Sequence, residues 1–361
     1  AGVPDSPFPF HGPLRPDLVQ GRDDALADLV ERISERRPTV LVAPRRFGKT
    51  SLLGAVTARL AETTTAIWVD LYELRSWADL AARLDDALAA VPANRRGVLD
   101  RIAAGVELNL GVVKAALSRP DRPEPDITVD RLLDVLVRYA TSHPTVVIFD
   151  EFSSISGVAG AAGLLRTRLQ HHYGDIGLVF SGSEPSMMRL LFAGTDQPFY
   201  AQADLVELPP LSRIALERIV HDGFDGAPPA GLAGRIHHFT GGHPQRSMQL
   251  ADAAWSLTRS TLDVSDEAVW GTALDAVRTA TADGHEVRFA AAPPPEQSVL
   301  RLVATGQPLF GRAAELLATS RSSAQIARDR LAAAGTIDDS AGAWSVIDPL
   351  YADWLRTRFP L

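Results

Sequence analysis

Residues 43–51 constrain this chain more than any other stretch. They read Ala-Pro-Arg-Arg-Phe-Gly-Lys-Thr-Ser, they follow the apolar run 39–42, and they precede a segment whose apolar residues recur at helical spacing. A loop that leads from a strand into a helix presents successive backbone N–H groups to a phosphate, and the helix dipole adds to the attraction. The sequence therefore predicts a phosphate-binding loop of the Walker A type, with Ala43 in place of the usual first glycine.

Two side chains of this loop carry the chemistry. Lys49 is expected to reach the β- and γ-phosphates of a nucleotide, and the hydroxyl of Thr50 is expected to bind Mg²⁺. The alternative is that Lys49 is an ordinary solvated lysine. The flanking strand and helix favour the phosphate loop, because that motif counts as evidence only in this context.

A second signature is the acidic pair Asp150-Glu151, which directly follows the apolar run 145–149. In open parallel sheets ligands bind outside the carboxyl ends of the strands, so Asp150 is predicted near the phosphate loop. Asp150 suits a role on Mg²⁺, and Glu151 suits a general base that deprotonates the attacking water. Taken alone, such a pair is more often a solvated turn; the upstream loop favours the catalytic interpretation.

A polar residue at the end of the next predicted strand, 176–181, could sense the γ-phosphate or position water. Ser183 is the preferred candidate and Ser181 the second. A plain Ser-Gly turn explains the same residues equally well.

Composition sets limits on the class of protein. The chain has 361 residues, of which 46% are hydrophobic and 22% charged, and this length predicts two or three globular domains. It contains no cysteine, so disulfides and thiolate metal sites are excluded, and a cytoplasmic location is expected. No apolar run reaches the length of a membrane span. The net charge of −8 argues against a protein-wide electrostatic footprint for nucleic acid.

The pattern of apolar residues predicts four segments. These are an N-terminal arm (1–20), an α/β core (21–210), a helical region (211–289) and a C-terminal domain (290–361). Within the core, alternation at Val106, Leu108 and Leu110 predicts an inserted strand pair, followed by a loop at Pro120, Pro123 and Pro125. Pro293-Pro294-Pro295 is predicted to be a linker. The last segment reads as three helices (296–304, 310–318 and 322–334) and a hairpin (336–346), the order of a winged helix.

Together these landmarks resemble the archaeal-type ATPases of the STAND class, which are relatives of the AAA+ proteins. The matching stretches are 21–23, the loop 44–51, 148–151, Gly182-Ser183, Gly241-Gly242-His243-Pro244, 348–350 and 354–355. The resemblance implies an additional-strand P-loop NTPase core with a helical lid and a C-terminal winged-helix domain. It also implies ATP or ADP and Mg²⁺ as ligands, Arg22 near the adenine, and closure of His243 and Pro244 over the nucleotide.

The motif and the resemblance together give three sets of site residues. The catalytic set is Lys49, Glu151 and Ser183, and the metal ligands are Thr50 and Asp150. The nucleotide-binding set is Arg22, Pro44, Arg45, Arg46, Phe47, Gly48, Lys49, Thr50, Ser51, His243 and Pro244. One departure concerns the stretch 198–202, where relatives often carry an arginine after a Pro-aromatic pair. Arg166 and Arg168 are possible substitutes, although a solvated helix face explains both arginines.

Three functions follow from these patterns. The first is an ATP-hydrolysing switch whose lid and winged helix act on a protein partner or on a second copy of the chain. The second is a DNA-binding winged-helix protein gated by ATP; it is not favoured by charge, since residues 290–361 contain seven arginines and seven acidic residues. Arg321, Arg328 and Arg330 nevertheless cluster on the predicted recognition helix. The third, a metal-dependent hydrolase, finds little support, because the adjacent histidines 171–172 and 237–238 do not share a helix face.

Overall fold

The computed structural model describes residues 6–117, 124–260, 265–317, 320–339 and 342–361. The chain divides into two compact units. One, called here the α/β unit, comprises residues 23–43 and 49–208. The other, called the helical unit, comprises residues 1–22, 44–48 and 209–361. The predicted division into four segments stays a prediction.

The α/β unit is built on five strands: β1 (Thr39–Val42), β2 (Thr65–Asp70), β3 (Thr145–Asp150), β4 (Gly177–Gly182) and β5 (Asp204–Glu207). Its helices are α1 (Asp23–Ser34), α2 (Lys49–Leu60), α3 (Trp77–Ala89), α4 (Ala93–Gly105), α5 (Val113–Leu117), α6 (Pro125–Ser142), α7 (Ala161–Leu169) and α8 (Pro185–Ala193). A 3₁₀ helix, Phe152–Gly157, follows β3.

All five strands are parallel, in the order β2-β3-β4-β1-β5. Strand β4 is the additional strand between β1 and β3, so the predicted fold class is confirmed. Burial explains the sequence pattern, since β1, β3 and β4 are buried along their whole length and their side chains are therefore mostly apolar. Val42 pairs in register with Gly182, and Phe149 pairs with Phe180, which brings the carboxyl ends of the three strands together.

A cluster of five phenylalanine rings supports these strand ends. The rings pack at centroid distances of 4.8 to 6.1 Å, mostly tilted or edge-on, and each is at most 5% exposed. They belong to Phe149, Phe152, Phe180, Phe192 and Phe199. Such aromatic pairs contribute about 0.5–1.5 kcal/mol each beyond the area they bury. The cluster therefore provides a rigid base for the acidic pair that follows Phe149.

The predicted strand pair between residues 92 and 129 is wrong, because this stretch forms α4 and α5. The alternating apolar residues lie in the turn between the two helices, where positive φ angles at Glu107 and Gly111 interrupt an extended chain. The buried carboxylate of Asp85 accepts hydrogen bonds from the amides of Gly111 (2.7 Å) and Val113 (3.0 Å) and so caps α5. Pro125 begins α6, whereas Pro120 and Pro123 lie outside the described residues.

The helical unit contains α9 (Arg213–Gly223), α10 (Leu232–Thr240), α11 (Pro244–Ser260), α12 (Asp266–Ala291), α13 (Pro294–Ala304), α14 (Arg312–Leu316), α15 (Arg321–Ala333) and α16 (Pro349–Arg358). A two-stranded antiparallel sheet joins β6 (Ile337–Asp338) to β7 (Ser345–Val346), and a 3₁₀ helix spans Pro16–Leu18. Helices α13 to α16 with this short sheet form the winged-helix region. Residues 318, 340 and 341 of its predicted helix and hairpin lie outside the described residues.

Two cores stabilise the helical unit. One joins α9, α10, α11 and the first half of α12, and the other joins α13, α15, α16 and the small sheet with Phe289 of α12. The predicted proline linker is wrong in its length, because Pro294 and Pro295 form the first turn of α13. Proline is well suited to that position, where its missing N–H has no intrahelical partner to lose.

The N-terminal stretch is anchored to the helical unit by one aromatic side chain. Phe8 is 1% exposed and packs against Phe224 with ring centroids 5.6 Å apart. It lies directly over Gly223, where an added Cβ would come within 2.3 Å of the Phe8 ring. The side-chain amide of Gln245 also donates to the carbonyl of Phe10 at 3.2 Å. Residues 6–10 therefore pack as part of this unit rather than as a free arm.

Candidate nucleotide-binding site

The phosphate loop connects β1 to α2, as predicted. Helix α2 begins at Lys49, so the loop runs directly into a helix N-terminus. Two residues have left-handed backbone conformations, Arg46 with φ 68° and Gly48 with φ 87°. Lys49 is 5% exposed, and its ammonium group donates to the carbonyl of Ala43 at 2.9 Å, across the base of the loop. A buried lysine held this way cannot be an ordinary solvated one, since lysine is almost never fully buried without a partner.

Asp150 lies at the carboxyl end of β3 and is 7% exposed. Its carboxylate accepts hydrogen bonds from the Ser181 hydroxyl, from the Thr50 hydroxyl (3.3 Å) and from the Glu151 amide (3.0 Å). Burial raises the pKa of Asp150, and the charge of Glu151 adds to this effect, whereas the Ser181 hydrogen bond and Lys49 oppose it. A buried carboxylate beside a hydroxyl is a set of hard oxygen donors, which is the type of ligand that Mg²⁺ prefers.

Glu151 points away from its neighbour to a different partner. Its carboxylate accepts hydrogen bonds from the Ser183 hydroxyl at 2.7 Å and from the Ser183 amide at 3.2 Å. Its backbone is left-handed, with φ 50°, a conformation that costs a non-glycine residue of the order of 1 kcal/mol or more. Ser183 is 1% exposed, so it holds the glutamate from a fixed position. The two serines weighed in the sequence therefore have separate partners, Ser181 with Asp150 and Ser183 with Glu151.

Arg22, Phe47, His243 and Pro244, which are also predicted to bind the nucleotide, lie in the helical unit. Arg22 donates to the carbonyls of Pro209 (2.6 Å) and Phe47 (3.3 Å), and burial lowers its pKa to about 10. The Phe47 ring meets the His243 ring edge-on, with centroids 4.9 Å apart. Pro244 is the first residue of α11.

Four further residues of the predicted nucleotide-binding set differ in exposure. Arg45 and Arg46 are exposed, and Pro44 is half-buried. Ser51, in the first turn of α2, is 7% exposed.

His243 is held neutral by its surroundings. It is 4% exposed, and burial, together with the charges of Arg246 and Arg46, lowers its pKa to about 4 against the opposing charge of Asp348. Its Nδ1 accepts a hydrogen bond from the Arg246 amide at 3.4 Å, which only an unprotonated nitrogen can do. Phe47 of the loop and the start of α11 are thus joined through an uncharged ring.

Sequence reasoning missed an ion pair between α11 and α16. The guanidinium of Arg246 binds Asp348 through both oxygens, at 3.0 and 2.5 Å, and the two side chains are 7% and 14% exposed. Asp348 also caps α16 by accepting from the amides of Leu350 and Tyr351. An aspartate directly before a proline is a recognisable helix start, but nothing in the sequence specifies Arg246 as its partner.

The two arginines named as possible substitutes, Arg166 and Arg168, differ in their surroundings. Arg168 makes a two-point contact with Asp130 of α6, and Arg166 has its Nε buried without a hydrogen-bond partner among the described residues. Phe199 of the Pro-aromatic stretch is fully buried in the phenylalanine cluster, and the residues that follow it, 200–202, include no arginine.

No group of three or more histidine, aspartate or glutamate side chains that could hold a metal occurs within the described ranges. The part of the chain that the structure describes also has no helix with the length and hydropathy needed to span a membrane.

Comparison with solved structures places the fold. The chain is similar to a Walker-type ATPase of Pyrococcus abyssi, with 18% identity, a TM-score of 0.70, and coverage of 97% of this chain and 99% of that one. It is similar to the ORC2 protein of Aeropyrum pernix in its ADPNP-ADP complexes, with 15% identity, a TM-score of 0.56 and 98% coverage of both chains. It is also similar to the ORC1 protein of Aeropyrum pernix in complex with DNA, with 14% identity, a TM-score of 0.50, and coverage of 94% and 93%.

Sequence comparison adds nothing to this, since no protein-family model matches the chain and no curated protein matches it. The likeness extends over both units rather than over the sheet alone, because nearly all of each solved chain is covered. The chain therefore has an α/β P-loop NTPase fold, with a five-stranded parallel core and a C-terminal helical and winged-helix region.

Proposed function

We propose that this protein binds ATP with Mg²⁺ at the phosphate loop and hydrolyses it slowly. The observation that carries the proposal is the cluster at the carboxyl ends of β3 and β4, where Asp150 lies 3.3 Å from the Thr50 hydroxyl and Glu151 is fixed by Ser183. Lys49 is buried at the start of α2. A structural carboxylate pair would need neither a buried lysine nor a left-handed backbone at Glu151.

Each residue has a task in this scheme. The amides of the loop and the Lys49 ammonium would bind the phosphates, and Thr50 and Asp150 would hold Mg²⁺, which supplies charge neutralisation on the phosphate oxygens. Glu151 would accept the proton of the attacking water. Ser183 would orient the Glu151 carboxylate by donating a hydrogen bond to it. Because the carboxylate is already in position, little reorganisation would be needed during the reaction.

The test is ATP binding and turnover by the wild type, Lys49→Ala and Glu151→Gln. Glu151→Gln is expected to lower kcat about 10²–10⁴-fold and to leave ATP affinity within about twofold, because general base catalysis contributes a factor of that size. Lys49→Ala is expected to abolish binding. Glu207→Gln, an exposed glutamate at the end of β5, is the matched control. Turnover that survives in Glu151→Gln would remove this residue from the mechanism.

The protein concentration is a second variable. The arginine that relatives often carry after the Pro-aromatic stretch is lacking, so catalysis would need a group from another molecule. Turnover per subunit that rises with concentration supports self-association. ATP binding without turnover at any concentration supports a switch that needs a protein partner.

The second part of the proposal is that the nucleotide state is passed to the winged helix, as in the STAND class. A continuous series of contacts in the helical unit supports it. Phe47 of the loop packs on His243, His243 accepts from the Arg246 amide, and Arg246 binds Asp348 at the start of α16. Coupling of this kind requires the two states of the winged helix to differ in ATP affinity. Asp348→Asn is therefore expected to change the Kd for ATP, and an unchanged Kd would refute the coupling.

The winged helix is proposed to contact protein rather than DNA. Three large apolar side chains are exposed among the described residues of 294–358: Ile326 (56%), Leu316 (77%) and Phe310 (36%). Among the arginines of α15, Arg328 donates to its neighbour Asp329 and lies over the ring of Trp344. Salt-dependent retardation of duplex DNA that is lost in a variant lacking Arg328 and Arg330 would revive the alternative of ATP-gated DNA binding.

A further inference from the structure

A cavity of about 500 Å³ in the helical unit is not used by the proposed reaction. Its walls come from the exposed arginines of the phosphate loop, from α11 and α12, and from the winged-helix region around β6 and the start of α16. Lys49, Thr50, Asp150 and Glu151 do not line it. Its size falls within the range of small-molecule sites, about 300–1,000 Å³.

The lining of this cavity is strongly basic. Among the described residues, Arg45, Arg46, Arg246 and Arg288 line it, and Asp348 is the one acidic residue of the lining. The Asp348 carboxylate is already held by Arg246 and by two backbone amides. With both histidines of the lining neutral, the formal charge of the walls is +3.

Two polar side chains of the lining, those of His285 and Arg288, have features that favour a ligand. His285 is 6% exposed, and its Nε2 is buried without a hydrogen-bond partner among the described residues. Buried polar atoms are nearly always satisfied, so an exception calls for an explanation such as an absent ligand. Arg288 donates to the Thr336 hydroxyl at 2.9 Å and lies 4.6 Å from the centre of the Tyr351 ring. These contacts fix its guanidinium and leave N–H donors for another group.

The electrostatic environment of His285 agrees with this geometry. Burial lowers its pKa to about 4, and the charges of Arg246 and Arg288 act in the same direction, while Asp348 opposes them. The pKa of His243, in the same lining, is also lowered by burial and by the charges of Arg246 and Arg46. The described lining of the cavity therefore has a net positive formal charge, which a bound anion would neutralise.

We infer that this cavity binds a small phosphate-bearing anion, with Arg46 and Arg288 as its charge partners and the imidazole of His285 as a further donor. Phosphate fits better than a carboxylate, because its several oxygens can accept from donors on different walls and the arginine fork matches its geometry. An anion held here would join the phosphate loop, α12 and the winged-helix region. Its phosphate could come from a free phosphate compound or from the end of a nucleotide.

The test uses inorganic pyrophosphate and the full chain carrying Lys49→Ala, which removes the predicted phosphate-loop site. Calorimetric titration is expected to show binding of one pyrophosphate per chain. Adding Arg288→Gln should weaken it at least tenfold, whereas adding Arg312→Gln, at an exposed arginine of α14 outside the cavity, should not. In the Lys49→Ala protein, NMR titration of His285 should show a higher pKa with pyrophosphate than without it.

Three outcomes would overturn the inference: no binding to the Lys49→Ala protein, equal loss in the two arginine variants, or an unchanged pKa of His285. Competition then identifies the source of the phosphate. If ATP displaces pyrophosphate from the Lys49→Ala protein, a nucleotide can occupy the cavity. If ATP does not displace it, the phosphate comes from a free phosphate compound. Failure of this site is distinguishable from failure of the ATPase, which is tested in chains with Lys49 intact.

Discussion

The ion pair between Arg246 and Asp348 is expected to hold α16 in place, and Asp348→Asn tests it. Asparagine keeps the helix cap, because its side-chain oxygen can still accept from the amides of α16, so the substitution removes mainly the charge. It leaves the Arg246 guanidinium, whose side chain is 7% exposed, buried without its counter-ion. Removing one partner of a buried pair costs about 3–5 kcal/mol, and we take about 3 kcal/mol here because asparagine still accepts one hydrogen bond.

A second pair provides the matched control. Arg278 of α12 binds Asp353 of α16 at 2.8 and 3.1 Å, so it involves the same C-terminal helix. The Arg278 side chain is 43% exposed and can turn to water when its partner is lost. Asp353→Asn is therefore expected to cost at most about 1 kcal/mol, as for other solvent-exposed pairs.

Hydrogen exchange of the α16 amides in the full chain measures the free energy of local opening in both variants. It does not require two-state unfolding of the whole protein. A cost of about 3 kcal/mol corresponds to exchange that is about a hundredfold faster in Asp348→Asn. The double variant Arg246→Met, Asp348→Asn should regain more than half of the loss, since the unpaired buried charge is gone. Exchange no faster in Asp348→Asn than in Asp353→Asn would refute the reasoning.

Three further predictions concern the glycines, pH and the oriented glutamate. Gly242→Ala should destabilise the protein by about 3 kcal/mol, because the new Cβ would lie 2.2 Å from a backbone oxygen. Gly241→Ala should cost about 1 kcal/mol, because Gly241 has a positive φ but open space around its Cα. Equal shifts in the melting temperatures of the two variants would contradict this. His243 has a pKa of about 4, below its ordinary 6.5, so it is neutral in the folded state and its contribution to stability falls as pH drops through 6.5 towards 4. The wild type should therefore lose about 2 kcal/mol more than His243→Gln between pH 7 and 5 in denaturant titrations, and parallel losses would argue against it. Ser183→Ala should slow ATP turnover about tenfold with unchanged ATP affinity, since Glu151 loses its 2.7 Å donor; full activity would exclude an orienting role.

The elements predicted well are those whose local pattern and environment agree. Buried parallel strands must be apolar throughout, so β1, β3 and β4 were visible as short apolar runs, and the loop after β1 was recognisable from its residue types. Proximity of Asp150 to Thr50 also followed from the sequence, because parallel strands end at one edge of the sheet.

The errors arose where side chains distant in the sequence decide the local structure. The alternation around Val106 and Leu108 has the period of a strand, but Asp85 caps α5 at Val113, 28 residues later in the sequence, and the alternating residues form the turn before that helix. The three prolines after α12 have the composition of a linker, but proline is as favourable in the first turn of a helix, where Pro294 and Pro295 lie.

The sequence by itself determined the kind of chemistry, because the phosphate loop and the acidic pair are local patterns of residue type and spacing. Tertiary structure alone decided which serine supports which carboxylate, and that Arg246 would meet Asp348, 102 residues away. It also decided that loop arginines, His285 and Arg288 line one basic cavity. The reason is physical: a short motif needs only neighbouring residues, whereas partner choice and burial depend on which surfaces pack together once the whole chain has folded.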